Sequence, residues 1–280
     1  MRSWLAEFDV ACPRALPEAL TLIAQEGSTP LAGATDLFVL MNAGHLKPTR
    51  FVSLHGVPEL AEAARWDGDS YVMSALTSYT EARHDAGVRA RLPLLALAAR
   101  EVGALQIQNR GTWAGNIANA SPAADGVPAL LAYDALVQLS STRGTREVAL
   151  RDYFTGYKQS LKAADELITR ITVPAPPQGA RHYWRKVGTR KLQAISKVVA
   201  AGVLVVDGTI QDARLALGSV APIPLRARRV EEAVIGKAPA DALESALAAL
   251  EQDIAPIDDI RSTRDYRMRV ARNLVRAWLS

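Results

Sequence analysis

The run Asn109-Arg-Gly-Thr-Trp-Ala-Gly-Asn-Ile-Ala-Asn-Ala-Ser-Pro-Ala-Ala-Asp125 constrains this chain more than any other segment. Within seventeen residues it carries two glycines, three amides, two hydroxyls and a closing carboxylate. These residue types favour turns and left-handed backbone, so the run is expected to be a long loop rather than a helix or strand. Long loops inside compact domains are usually functional. This one offers backbone N–H groups and short polar side chains, with no bulk to keep a ligand away. Oriented amides hold a diphosphate as readily as lysine does. A second, shorter segment of the same kind lies upstream, Pro30-Leu-Ala-Gly-Ala-Thr-Asp-Leu37. Two such loops suggest one dinucleotide.

Composition bounds the alternatives. A chain of 280 residues has room for two or three units with real cores. Its 49% hydrophobic and 22% charged content is ordinary for a globular protein. The longest apolar stretch, Val198 to Val206, is far short of the roughly 20 residues that span a bilayer. The N-terminal Met1-Arg-Ser-Trp-Leu-Ala-Glu-Phe-Asp9 has acids where a signal peptide needs an apolar core, so a cytoplasmic location is expected. The one cysteine, Cys12, allows neither an internal disulfide nor a thiolate-held iron–sulfur cluster carried by this chain alone. His45, His55, His84 and His182 lack metal-ligand spacing and read as surface or loop residues.

The net charge of +4 is uneven: residues 181–280 hold 17 basic and 11 acidic side chains, leaving the first 180 at −2. The positives are dispersed, and Arg264, Arg267, Arg269, Arg272 and Arg276 share a helical segment with Val270, Leu274, Val275 and Trp278. A solvated or subunit-facing helix is expected there rather than a nucleic-acid surface.

Periodicity and turn signals divide the chain into residues 1–55, 56–176 and 177–280. In the first, a helix over 16–26 has Gly27 where a C-cap would stand. A strand follows over 29–31, then the Gly33 loop, a helix over 37–42 with Asp36 as its N-cap, and a strand over 50–54. The second has a strand over 71–75, helices over 78–84 and 92–102, and a hairpin of 135–140 with 145–149. A further strand spans 166–173, and Pro174 to Pro177 ends the unit. In the third, strands over 195–206 and 213–220 meet through Asp207-Gly-Thr, a strong hairpin signal. Helices over 228–235, 240–250 and 263–279 follow. The class is α+β, ending in an antiparallel sheet covered by helices on one face.

Residue by residue, Gly33 permits close backbone approach and positive φ, and Thr35 adds a hydroxyl. The segment is neither G-x-G-x-x-G nor a P-loop. In the long run, Gly111 and Gly115 allow tight turns, and Thr112 can donate to a phosphate oxygen. Asn116, Asn119 and Ser121 supply further bonds, and Asp125 can accept from ribose or ribityl hydroxyls. Trp113 reads as a packing residue.

Four motifs occur in order: Gly33-Ala-Thr-Asp-Leu37, the Asn109–Asp125 run, Asp165-Glu-Leu-Ile168 and Lys186-x-x-x-Arg190. Together they resemble the FAD-binding medium subunit of molybdenum hydroxylases, the xanthine dehydrogenase and carbon monoxide dehydrogenase group. The resemblance covers essentially the whole chain, including Tyr266-Arg near the end. It implies a two-lobed FAD domain of the vanillyl-alcohol-oxidase (PCMH) type and a small C-terminal domain. It also implies cofactor contacts from Pro30, Leu31, Ala32, Gly33, Ala34, Thr35, Asp36, Leu37, Val102, Asn109, Gly111, Thr112, Ala114, Gly115, Asn116, Asn119 and Ser121. Asp125 would meet a sugar hydroxyl, the backbone near Leu167 and Ile168 the flavin ring, and Lys186 would lie near the flavin. No catalytic acid–base pair is implied in this chain.

Two positions depart from the family pattern, Ala34 and Ala114 standing where glycine is usual. A methyl at positive φ costs about 1 kcal/mol. The family variant with an extra iron–sulfur cluster carries added cysteines in an insertion, and this chain has neither. The implied activity is that of an oxidoreductase subunit. Molybdenum cofactor and [2Fe–2S] clusters would reside on a large and a small partner subunit in a dimer of heterotrimers. The overall likeness favours an N-heterocycle or purine as the complex's substrate; the electron acceptor stays open. The residues alone also leave open a self-sufficient flavin oxidase or reductase, a basic binding module, and an NAD-binding protein, the last disfavoured because the Rossmann fingerprint is missing.

Overall fold

The computed structural model describes residues 8–45, 50–190 and 193–280. Most of the N-terminal segment inspected above for an export signal therefore lies outside the described residues. The chain builds three main sheets in sequence order.

The first is a small parallel sheet. Strands β1 (Asp9–Ala11), β2 (Ser28–Leu31) and β3 (Arg50–Ser53) stand in the order β1-β3-β2. Helix α1 (Leu16–Ile23) buries Ala19, Leu20 and Ile23, and α2 (Leu37–Asn42) follows β2. Helix α1 ends at Ala24 in right-handed geometry, so Gly27 is not its cap. Gly27 instead takes φ 79° in the turn before β2. Asp36 does precede α2, but its side chain makes no capping bond. Its own backbone is already helical, which turns the carboxylate away from the first-turn N–H groups.

The second is an antiparallel sheet in the order β4-β5-β10-β6-β7. It comprises β4 (Arg65–Asp67), β5 (Ser70–Ser74), β6 (Leu136–Ser141), β7 (Gly144–Ala149) and β10 (Leu167–Pro174). Between β5 and β6 lie six helices: α3 (Tyr79–His84), α4 (Ala86–Arg91), α5 (Pro93–Glu101), α6 (Leu105–Arg110), α7 (Trp113–Ala118) and α8 (Val127–Ala132). Helix α9 (Leu150–Tyr153) and the short hairpin of β8 (Phe154–Gly156) and β9 (Gln159–Ser160) follow β7. Ser78 and Glu81 form a reciprocal capping box at α3.

The expected 109–125 loop is corrected here, because much of it is helical. Gly111, at φ −64° and ψ 141°, breaks the chain between α6 and α7. Thr112 then caps α7 by accepting from Gly115 N at 2.9 Å. A hydroxyl one residue before Trp-Ala-Gly-Asn-Ile-Ala suffices to start a short helix despite its glycine and asparagine. The expected tight turns at Gly111 and Gly115 are therefore absent: neither is left-handed, and Gly115 lies inside α7.

The third is an antiparallel sheet, β11 (Arg181–Val187), β12 (Val198–Asp207), β13 (Thr209–Gly218) and β14 (Leu225–Arg226), in chain order. The hairpin turns at Gly208, φ 64°. Helices α10 (Arg228–Val234), α11 (Leu243–Asp253) and α12 (Arg264–Leu279) close one face. The other face is not left to solvent. Ala201, Val203 and Ala216 join the core that includes α8. Alternation of side chains puts His182, Trp184 and Lys186, opposite Val203, Ala201 and Val199, on this same face. In the arginine-bearing α12, Arg267 is buried, donating to Lys197 O, Ser219 O and Asp259. It is a core tie, which corrects the expectation of a wholly solvated or subunit-facing row.

Candidate functional site

The two glycine-bearing segments meet. The turn after β2 brings Gly33 so close to the end of α6 that a Cβ there would lie 1.9 Å from Arg110 O. Only hydrogen fits at that distance, which is why glycine stands at 33. The next residue, Ala34, takes φ 60°, so the expected methyl-at-positive-φ strain is real there. Ala114 sits within α7 and carries no such strain. The Thr35 hydroxyl faces Gly111, where a Cβ would lie 3.4 Å from it. Pro30 and Leu31 end β2, and Ala32 O accepts from His55 Nε2 at 3.0 Å. Among the described residues the N–H groups of Thr35, Asp36 and Leu37 find no protein acceptor, as the opening turn of a helix requires.

The opposite wall is α7 and the turn after it. Tyr79 N donates to Gly111 O at 3.3 Å and Trp113 N to Thr77 O at 3.2 Å, stitching the α6–α7 break to the start of α3. Trp113 is fully buried against Tyr79, rings 4.9 Å apart, so it packs the core. Asn109 accepts from Thr80 at 2.6 Å. Asn116 Oδ1 accepts from Gly126 N at 3.1 Å, and Asn119 Oδ1 from Lys158 at 2.8 Å. Three of the expected ligand amides thus shape the wall with their oxygens. Ser121 turns the chain, its hydroxyl 3.3 Å from Ala123 N, and Ser219 N donates to the following carbonyl, Pro122 O, at 2.8 Å. That bond ties the turn to the third sheet.

At the end of this turn stands Asp125. Its Oδ2 receives Lys186 Nζ at 2.7 Å, and the same ammonium donates to Glu101 O at 2.8 Å. Both side chains are buried, 6% exposed for Lys186 and 13% for Asp125. Burial pushes the Asp125 carboxyl up to about 6, with Lys186 pulling the other way. Its second oxygen, Oδ1, is buried and makes no hydrogen bond of ordinary length, the Ser196 hydroxyl lying near enough only to favour the ionised carboxyl. A buried acceptor left unpaired costs about 1–3 kcal/mol, so this oxygen is the group in the wall most in need of a donor.

Val102 follows α5 in extended backbone, and its carbonyl accepts from Gln108 Nε2 at 3.1 Å. Gly103 follows at φ 53°, and its carbonyl accepts from Gln193 N at 3.3 Å. Leu167 and Ile168 open β10, buried, with a bulge just after Ile168 that is one way to present backbone from the middle of a sheet. Helix α7 packs on β10, bringing this bulge toward the same wall. Asp165 and Glu166, just before it, are tied to Arg143 and Arg146.

Sequence reasoning missed Lys158, at the β8–β9 tip in positive φ, whose ammonium holds Asn119. It also missed the Glu101 carbonyl that fixes Lys186. Nothing in local periodicity signals either, because each partner is contributed by a distant element. His182, read as a surface or loop residue, stands in β11 and meets the buried Tyr133 hydroxyl at 3.1 Å. No group of three His, Cys, Asp or Glu among the described residues could hold a metal.

Two family models cover the chain. Residues 6–176 match the FAD binding domain in molybdopterin dehydrogenase, and residues 181–280 match the CO dehydrogenase flavoprotein C-terminal domain. The carbon monoxide dehydrogenase medium chain of Hydrogenophaga pseudoflava is 31% identical, covering 98% of this chain and 96% of that relative. The xanthine dehydrogenase FAD-binding subunit of Escherichia coli O157:H7 is 28% identical over 95% of this chain and 92% of its own length. The solved structure of carbon monoxide dehydrogenase from Hydrogenophaga pseudoflava, which lacks the Mo-pyranopterin moiety of its cofactor, superposes with a TM-score of 0.93. It is 30% identical in sequence, covering 98% of this chain and 96% of that one.

Proposed function

Because the chain belongs to the family of FAD-binding medium subunits of molybdenum hydroxylases, we propose that it is the electron-exit subunit of such a complex. In this reading it receives electrons from [2Fe–2S] clusters on a small partner subunit and passes them to an external acceptor. A large partner subunit holds the molybdenum cofactor and oxidises substrate. Residues 1–55 and 56–176 are the two lobes of the FAD domain, and 177–280 the C-terminal domain. The assembly is a cytoplasmic dimer of heterotrimers. Among the described residues no helix is long and apolar enough to cross a membrane.

The residues present fit FAD on physical grounds. The single observation that carries this is Asp125 Oδ1, a buried acceptor with no hydrogen bond of ordinary length in the protein, at the end of the wall that the Gly33 turn faces. A ribityl or ribose hydroxyl is the donor it lacks. The partnerless N–H groups of Thr35, Asp36 and Leu37 suit a diphosphate oxygen. Bound flavin supplies exchange between one- and two-electron carriers, which an iron–sulfur-to-acceptor relay needs.

The chain's own residues supply position and electrostatics. Gly33 lets the first turn close on Arg110 O, fixing the width of the cleft. Lys186 keeps a positive charge beside Asp125 and, through Glu101 O, ties the third sheet to α5. Thr112 spends its lone pair on Gly115 N and keeps its hydroxyl hydrogen free to donate.

Co-purification from the native host tests the reading. The expected result is a coloured complex containing FAD, two further subunits, molybdenum and iron. A chain that turns over substrate alone, free of both metals, would overturn it in favour of a self-sufficient flavin enzyme.

A further inference from the structure

Strand β11 lies along α5 on the face it shares with the second sheet's core, and it is pinned at both ends. At its far end Lys186 donates to Glu101 O, the last residue of α5. At its near end His182 Nδ1 stands 3.1 Å from the Tyr133 hydroxyl, which in turn accepts from Leu94 N at 3.1 Å, in the first turn of α5. The spacings match. Four strand residues from His182 to Lys186 span about 13 Å, and seven helix residues from Leu94 to Glu101 about 10 Å. Tyr133 closes the difference from the end of α8. We infer that Tyr133 and His182 are a pH-sensitive positioning pair that sets the register of β11 on α5 and so holds Lys186 against Asp125.

The hydrogen positions follow from the contacts. Tyr133 is fully buried and its oxygen already accepts from Leu94 N. The phenol oxygen could accept a second bond, but a buried O–H needs an acceptor and His182 Nδ1 is in contact with it, so we assign Tyr133 as the donor and Nδ1 as the unprotonated ring nitrogen. Protonating the ring puts a hydrogen on Nδ1, which can then only donate to the Tyr133 oxygen; the bond reverses, the buried Tyr133 O–H is left without an acceptor, and the tie is weakened. Burial holds the His182 pKa below its ordinary value. A lowered folded value means the contribution is complete above the unfolded histidine pKa and is lost as pH falls through the folded one.

The surroundings contain little else that titrates against it. Along its own strand stand Arg181 and Tyr183, which alternate to the opposite face. Strand β12 presents Val203 on this face, whereas Leu204 and, on α12, Trp278 belong to the core of the other face. The charged groups of α5, Arg100 and Glu101, lie at its other end. Desolvation is the sole cause of the shift.

The inference rests on the FAD reading only for its consequence, not for its mechanism, and the test separates the two. Hydrogen exchange of the full chain without flavin is followed at Leu94 and along β11, at pH 7.5 and 5.5, corrected for intrinsic rates. Wild type is expected to lose about tenfold protection at the lower pH. Tyr133→Phe should lack it at both, and His182→Gln should give the same protection at both. Asp125→Asn should still loosen in acid, which excludes the Asp125 carboxyl as the source. Flavin affinity measured on the same four proteins should weaken in Tyr133→Phe at both pH values. If β11 and Leu94 exchange identically in wild type and Tyr133→Phe while flavin still binds, the inference is overturned. If flavin fails to bind but exchange behaves as described, the inference stands and the FAD reading falls.

Discussion

Replacing Gly33 by alanine tests the claim that two glycine-bearing segments close on each other to make the cleft. The added Cβ would sit 1.9 Å from Arg110 O, against about 3.4 Å for ordinary contact. The turn or the end of α6 must then shift by about 1.5 Å, and both obstacles are backbone, so no side-chain rotation relieves the clash. Overpacking of this kind costs typically about 1–3 kcal/mol. The upper end applies where backbone must move, which lowers Tm by roughly 6–12 °C for a chain of this size. The effect on cofactor is larger. A displacement of about 1.5 Å takes the N–H groups of Thr35, Asp36 and Leu37 out of hydrogen-bond range. Losing two bonds to a charged diphosphate, at about 1.5–3 kcal/mol each, weakens FAD by at least about 100-fold. The assay is a fluorescence-quench titration of purified Gly33→Ala with FAD beside a thermal melt. A variant that melts and binds like wild type would refute the close-approach argument.

Ala34→Gly should move the other way: it relieves φ 60° strain of about 1 kcal/mol, partly offset by backbone entropy. A Tm unchanged or raised by about 1–3 °C, with FAD affinity kept, is expected. A fall of several degrees would contradict the left-handed assignment. Lys186→Met leaves the Asp125 carboxylate buried without its cation, which destabilises by about 3–5 kcal/mol near neutral pH; chemical denaturation measures it. The same variant should lower the flavin midpoint potential in a redox titration, and an unchanged potential would place Lys186 away from the flavin. Asp125 itself sets a pH dependence. Its folded carboxyl is raised to about 6, so the stability it contributes to the ligand-free chain is present below its unfolded value and lost as pH rises through about 6. FAD affinity, which gains from an ionised acceptor, should rise between pH 5 and 7 in wild type and stay flat in Asp125→Asn. Parallel curves for the two proteins would exclude Asp125 as that acceptor.

The parts legible in the sequence are those set by local chemistry. Helix Leu37–Asn42 and the Asp207–Thr209 hairpin stand where turn residues and periodicity put them. Gly33 and the Asn109–Asp125 run were marked by small and polar residues alone. What stayed hidden depends on distant partners. Helix α7 forms because Thr112 caps it and Trp113 is buried against Tyr79, neither visible from glycine and asparagine content. Strand β11 is a polar edge strand without strict alternation, and its role emerges only once α5 lies beneath it. Arg267 looked like one of a row of surface arginines until three acceptors converged on it.

Calorimetric titration of the purified full-length chain with FAD, read together with its visible spectrum, tests the central claim most directly. One FAD per chain should bind, giving a flavoprotein spectrum, and Asp125→Asn should bind more weakly by at least about tenfold. A folded wild-type chain that takes up no FAD would contradict the account.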